Sequence, residues 1–525
     1  MNALINLFLF YLFYFLFFLC TIGYGKVFYY YLKFQKKDNY FDLIFFGIIF
    51  YLIIAYFLYF TIGINFYTNI VILIFGIFYF FYKKSDFNIP KIYSVIIFLL
   101  IFFSGLLISK THEDFPLYHF FSIQELFDSK LTIGLPLINF RFVHASLLSF
   151  SQSLFVLPFF DYKLIHLPIF FIYIATVGYF LYQNYFSNNS LEKFFSLSVV
   201  IIALIKFSRL SEFGYDIPSQ FLLLVVFHKI YFMSNKQNEI IKSFILFFFS
   251  IIIKPVSLFF FPIFVGLLLK QKLYKIIMLL KQKSFLIILI ILFFITLSNS
   301  FIRTACLFYP VNQTCFSKEK IFWSQKEDLR VYKEVVSDWA KGYYHQEKSR
   351  YKKIESKQEY NKNFNWLKYW VNIHFFYKIS EYLLICFSVF LTLYFLSKKN
   401  KNLFYPDHHK LVLTISIISI LFWLFYVPQF RFGFSSILIF VFFLFLVFFK
   451  KIKNFQKKNI FIFLIFSFLV FNIKNSIRIY NEFNRSDNFQ YVNFPWYAHK
   501  VQDKNVFNLS IIEYRFIKIL TKKLK

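Results

Sequence analysis

Long apolar runs separated by short lysine-rich or polar loops dominate this chain, and runs of that length predict membrane-spanning helices. Fourteen can be delimited. Residues 3–24, 41–62, 67–82 and 91–108 come first, followed by 164–182, 195–207, 219–234, 241–253 and 256–269. The last five are 284–301, 373–397, 410–427, 434–449 and 459–474. The pattern predicts an all-α polytopic membrane protein, a helical bundle of about fourteen transmembrane spans.

Three stretches break the rhythm. Residues 134–160 are apolar but interrupted by Arg141, His144 and Gln152, as interfacial or re-entrant helices lying against a bundle would be. Spans 241–253 and 256–269 are short and meet at Lys254–Pro255. That junction reads either as a broken helix whose lysine lines a cavity or as a hairpin whose lysine snorkels. In 327–344, Val331, Val335 and Trp339 recur at helical spacing and Gly342 follows, which predicts a surface helix with a glycine stop. Trp366 and Trp370, just before the span at 373, suit an interfacial aromatic belt. The resulting organisation is 1–90 as accessory spans and 91–474 as a core with large loops at 109–160 and 302–372. Residues 475–525 form a small outer cap.

The lysines orient the bundle. Lys33, Lys36, Lys37, Lys83 and Lys84 fall in alternate loops, and so do the clusters at 270–283, 398–401 and 450–458. Placing all of them in the cytoplasm puts the N-terminus outside. Segments 111–120, 207–220, 302–372 and 427–434 then emerge, with the tail, on the outer face. Nearly every unusual polar residue is then on one side, and a site on that outer face is the economical reading.

Composition agrees. With 59% hydrophobic and 25% aromatic residues and a mean hydropathy of +0.59, a soluble globular domain is excluded. The net charge of +32 sits in loop lysines, so it speaks for membrane orientation and against nucleic acid as a partner. The first apolar run lacks a basic leader and a small-residue cleavage site, so it reads as a retained span. Of four cysteines, Cys20 and Cys386 lie in apolar runs, whereas Cys306 and Cys315 share one polar loop and could form a disulfide in an oxidising compartment.

The candidate chemistry lies in the outer segments. Glu113 and Asp114, at the end of the fourth run, are placed to act as a general base, or alternatively as a solvated helix-end pair. His112 and His119 bracket them, and a divalent metal is possible, although the spacing fits no standard ligand pattern. Glu212 and Asp216 form a second acidic patch, suited to sugar hydroxyls or one divalent ion, while Asp216 alone suits a helix cap. Arg431, Arg209 and Arg141 lie at outer helix ends, where an arginine fork matches a lipid phosphate or snorkels to headgroups.

"THEDFPLYHF" followed by "KLTIGLPLINFRFVHASLLSF" resembles a family of bacterial polytopic membrane proteins with an H-D-D-F-P-x-Y-H-like motif and a GLxNLxxRF-like stretch. "SRLSEFGYDIPSQ", "KPVSLFFFP", "CLFYPVNQTCF", "SDWAKGYY" and "PQFRFG" recur in similar order, so the resemblance covers about residues 90–440. It departs at Glu113, where Asp is commoner, which favours Asp114. That family is similar to integral-membrane glycosyltransferases of the GT-C type. The resemblance implies a GT-C-like bundle in which Asp114, with Glu113, activates the acceptor. Arg431 or Arg209 would hold the donor phosphate. Glu212, Asp216, Arg141, Lys254 and His119 complete the candidate substrate contacts. The implied activity transfers a sugar from a polyprenyl-phosphate donor to a glycan, lipid or protein acceptor. A lipid-linked sugar flippase and a polysaccharide polymerase or ligase are the alternatives.

Overall fold

The structure, a computed structural model, describes residues 2–34, 39–82, 91–107, 114–128, 131–144, 146–209, 214–271, 281–351, 355–397, 408–449 and 457–483. Among these residues there are helices and no strand, apart from isolated bridges at Leu157–Asp161 and Cys306–Cys315. Each of the fourteen apolar runs is a helix.

In chain order the first four are α1 (Asn2–Leu32), α2 (Phe41–Phe60), α3 (Phe66–Phe81) and α4 (Ile92–Leu106). Two short elements follow, α5 (Phe120–Asp128) and α6 (Leu148–Ser153), in the stretch expected to lie against the bundle. Then come α7 (Leu167–Phe186), α8 (Ser190–Lys206), α9 (Asp216–Phe232), α10 (Gln237–Ile253), α11 (Phe261–Leu268) and α12 (Lys283–Thr304). The polar loop beyond carries α13 (Leu329–Lys341), α14 (Lys357–Asn361) and α15 (Trp366–Trp370). The chain ends with α16 (Ser380–Leu396), α17 (His409–Tyr426), α18 (Phe434–Phe448) and α19 (Lys457–Phe483).

Seven helices are long and apolar enough to cross a membrane: α1, α2, α7, α12, α15 continued through α16, α17 and α19. α3, α4, α11 and α18 are apolar but shorter. α8, α9 and α10 are 17 residues each and almost wholly buried among the others. This is a helical membrane protein.

Packing in lipid gains nothing from apolar contact alone, so close backbone approach has to supply the association. The N-terminal helices achieve it with glycine. A Cβ on Gly23 would sit 1.9 Å from the carbonyl oxygen of Gly76 on α3, and one on Gly25 would sit 1.9 Å from that of Leu43 on α2. One hydrophobic core runs from Phe10 to Phe471, so residues 2–82 are packed into the same body as the rest. A charged cluster ties them further. Lys229, near the end of α9, reaches Asp42 of α2 at 2.8 Å and Glu239 of α10 at 2.7 Å. Lys242 reaches Glu239 at 2.7 Å and Asp42 at 3.3 Å. All four side chains are buried, and two lysines balance two carboxylates, which is what makes their burial tolerable.

Two expectations about termini and tryptophans change. Residues 475–483 continue α19, because "NSIRIYNEF" offers no glycine or proline to stop it, and residues 484–525 of the expected cap lie outside the described residues. Trp366 and Trp370 are buried, not an interfacial belt. Trp370 Nε1 donates to the carbonyl of Pro428 at 2.7 Å, and Trp423 Nε1 donates to that of Gln429 at 2.7 Å, so the indoles clamp the 427–432 turn. The surface helix forms as expected, with Gly342 at φ 92° closing it.

Candidate active site

A cavity of about 1860 Å³ opens where one set of helix ends meets. α8, α10, α12 and α17 contribute their last residues, while the entries to α11, α16 and α18 and the loop helix α13 supply the remainder. The four segments expected on one face of the membrane all reach it: Asp114 and Tyr118, Arg209, the 303–348 loop, and 427–432.

Local sequence explains each placement. Pro116 cannot donate a backbone hydrogen bond. The motif starts as a π-helical turn, Phe115–His119, in which the carbonyl of Asp114 accepts from the amides of Tyr118 at 3.2 Å and His119 at 3.4 Å. This leaves the Asp114 side chain at the cavity wall. Lys254 is extended (φ −150°, ψ 114°) because Pro255 ends α10 there. Its Nζ turns inward to Asp216 Oδ1 at 3.0 Å, so the broken-helix reading holds and the snorkelling one does not. Asp216, expected as a helix cap, is instead the first residue of the helix, one position past the cap residue Tyr215. It opens α9 and takes two cations, Lys254 and, through Oδ2, Nε of Arg431 at 3.0 Å. Nη2 of the same guanidinium faces Asp114, 3.9 Å from its Oδ2. Trp339 of α13 and Phe432 cover its faces at 5.1 and 5.2 Å.

The four charges Asp114, Arg431, Asp216 and Lys254 therefore form one neutral chain, assembled from four distant segments. His144, in the turn Phe140–His144, lies beside it. Its Nδ1 shares a hydrogen bond of 3.0 Å with the hydroxyl of Tyr332. Burial first, then the positive charge of Lys254, pushes its pKa down to about 3, so the imidazole is neutral at physiological pH. Burial, reinforced by Asp114 and Asp216, holds the Tyr118 hydroxyl protonated.

Several candidates fall elsewhere. His119 does not line the cavity: it is buried behind the wall, its ring 4.4 Å from that of Tyr215. Arg209 and Arg141 both line the cavity. Glu113, His112 and Glu212 lie outside the described residues. Among the described residues no group of three or more His, Cys, Asp or Glu side chains is arranged to hold a metal ion. The oxygens of Asp114 and Asp216 face cations instead. Cys306 and Cys315 do form a disulfide, which closes the short loop at the cavity edge.

Sequence reading missed Tyr332, Trp339, Arg303 and the pair Lys206–Glu381, which meets at 2.6 Å. Trp339 had a signal, since it recurs in "SDWAKGYY", but it was read only as helix spacing. Arg303 looks like the polar end of an apolar run.

The cavity is amphipathic. Nine lysines and arginines line it against two carboxylates, Asp114 and Glu381, among the described residues, so it favours an anion. Toward α11 and α17 its lining turns apolar, and Leu258, Phe425 and Tyr426 there are 43%, 48% and 61% exposed.

Residues 7–438 match the model of a family described as a domain of unknown function, DUF8201, and the chain belongs to that family. The matched region takes in α1–α3 as well as every described segment of the cavity. No curated protein and no solved structure matches the chain.

Proposed function

We propose that this member of the family is an integral-membrane glycosyltransferase of the GT-C type. It transfers a sugar from a polyprenyl-phosphate donor to a glycan, lipid or protein acceptor at the outer face of a bacterial inner membrane. The observation that carries the reading is the meeting, in one cavity, of a carboxylate, an excess of cations and an apolar side open toward α11 and α17. A lipid phosphate is a ligand with those two halves. Its isoprenoid lies along Leu258, Phe425 and Tyr426 while the phosphate reaches the cations.

Asp114 is the base. It takes the proton of the acceptor hydroxyl or amide as that atom bonds to the anomeric carbon. The bond from that carbon to the donor phosphate breaks, and the lipid phosphate leaves with the electron pair. Arg431 serves both sides, because Asp216 fixes its Nε and leaves Nη2 between Asp114 and the cavity. Cations placed before reaction stabilise charge on the departing phosphate without reorganisation. Arg209 is the second phosphate contact.

The test is the surface-glycan profile of a deletion strain complemented with wild type or with Asp114→Asn, at matched membrane expression. Restoration by wild type alone supports the base and identifies the sugar. Restoration by both removes Asp114 as base and favours a flippase for the same ligand, which has no proton to abstract.

A further inference from the structure

On the Asp216 side of the cavity positive and negative charges cancel, and Lys206 is likewise matched by Glu381. Another stretch of the lining is different. It consists of the turn Phe140–His144, the end of α12 and the start of α13, and it presents Arg141, Arg303 and Lys333 to the cavity. Arg303 is held rigidly: Nε donates to Asn299 Oδ1 at 3.2 Å, and Nη1 lies 3.5 Å from the carbonyl of Phe142, the neighbour of Arg141. Lys333 follows Tyr332, which is bonded to His144 in the same turn. The carboxylates that line the cavity among the described residues both face other cations, Asp114 facing Arg431 and Glu381 facing Lys206. Behind the wall stands Glu125, fully buried and hydrogen-bonded by the Tyr59 hydroxyl. Burial raises its pKa and Arg303 lowers it, and it does not line the cavity, so it stands as one carboxylate behind three cations. His144 feels Lys254, Asp216, Arg141 and Arg431 together, so it lies close to both groups of charges.

Size gives the second argument. Ligand pockets commonly span roughly 300–1,000 Å³, and this one is about 1860 Å³. It has room for two ligands.

We propose that Arg141, Arg303 and Lys333 form a second anion site, which takes a phosphate or carboxylate group of the acceptor. The word acceptor rests on the transferase reading, whereas the anion site stands on the geometry of this wall. The arginine forks match an oxyanion bidentately, so they hold the acceptor by its anionic group while Asp114 takes the proton of its nucleophilic atom. A neutral acceptor leaves these cations without a partner and is bound more weakly.

Binding measurements test this without requiring transfer. Full-length protein in zwitterionic nanodiscs is titrated with farnesyl phosphate, and then, once that signal saturates, with inorganic phosphate, following tryptophan fluorescence. Trp339 on Arg431 and Trp323 packed on Phe301 sit near the two centres. The expected result is a second saturating change with phosphate. Arg141→Gln with Arg303→Gln weakens it about tenfold or more, the scale of a lost charge-assisted contact. Arg303→Lys keeps the charge but loses the fork, so it weakens binding less than Arg303→Gln does, and Arg431→Lys alters only the first titration. Arg141 is exposed, so Arg141→Gln alone carries the test if the Arg303 variant does not fold. The inference is overturned if the variants bind phosphate as wild type does, or if farnesyl phosphate abolishes the phosphate response. It is overturned equally if anionic phosphatidylglycerol discs remove that response, because the site is then filled by bilayer headgroups. The phosphate titration does not depend on whether Asp114→Asn loses transfer, so the two readings fail separately.

Discussion

Asp216→Asn is the most informative single substitution, because one atom for another removes the shared partner of two cations. Each of the pairs with Arg431 and Lys254 is 3.0 Å long. At an effective dielectric constant near 20, Coulomb attraction at that distance is roughly 5 kcal/mol per pair, most of it offset by desolvation. The loss is larger than the net worth of the pairs, since both cations stay where they are without their shared carboxylate. Removing one partner of a buried pair costs about 3–5 kcal/mol. The side chains of Arg431 and Lys254 are 17% and 15% exposed to the cavity, which puts the expected cost near the lower end, about 3 kcal/mol. Asp114→Asn is the control. Asp114 is 30% exposed and meets Arg431 only at 3.9 Å, a contact worth under about 1 kcal/mol. Thermal unfolding in detergent, read by a thiol-reactive dye, suits this protein because its free cysteines Cys20 and Cys386 are buried. Asp216→Asn should melt well below both wild type and Asp114→Asn. Adding Arg431→Met to Asp216→Asn should cost less than Arg431→Met alone, since the stranded cation is then gone. Equal melting of the two amide variants, or strict additivity in that cycle, refutes the hub.

Two further outcomes follow from the same structure. Lys229→Met leaves Asp42 and Glu239 with one lysine between them and should cost about 3–5 kcal/mol; Lys229→Met combined with Asp42→Leu should restore part of the loss in the same dye assay, and no restoration would contradict a charge-balanced quartet. Cys306→Ser opens a loop of nine-residue separation, which by chain entropy should destabilise that loop by about 2–3 kcal/mol. In intact cells an impermeant thiol reagent should reach wild-type Cys306 or Cys315 only after reduction, and labelling that requires permeabilised cells would place the cavity on the cytoplasmic side.

The elements were legible and the partnerships were not. Apolar run length is a one-dimensional property, and lipid imposes it strongly enough that each of the fourteen runs emerged as a helix. The same property also carried the one-sidedness of the polar segments, because lysine-rich loops alternate with the segments that meet at the cavity. Which polar residue faces which depends on helix rotation and crossing, and a sequence carries little of either. Asp216 illustrates the gap: at the start of α9 its local context suits a cap, and only the approach of Lys254 from the α10–α11 break and of Arg431 from the α17–α18 turn makes it an ionic hub.

The undervalued charges point the same way. Asp42, Lys229, Glu239 and Lys242 sit within one or two turns of helix ends, where each taken singly passes for a snorkelling or capping residue. Joined, they form a neutral knot at the end of α9 opposite Asp216. α9 is thus held at both ends by charge pairs, to α2 and α10 at one and to the two loop cations at the other. A helix pinned in this way cannot rotate to trade partners without exposing unpaired charge in the bundle, which costs several kcal/mol. The position of Asp216, and through Arg431 that of Asp114, is therefore set by contacts that span the length of α9. This makes the quartet a remote determinant of the site's geometry as well as of stability.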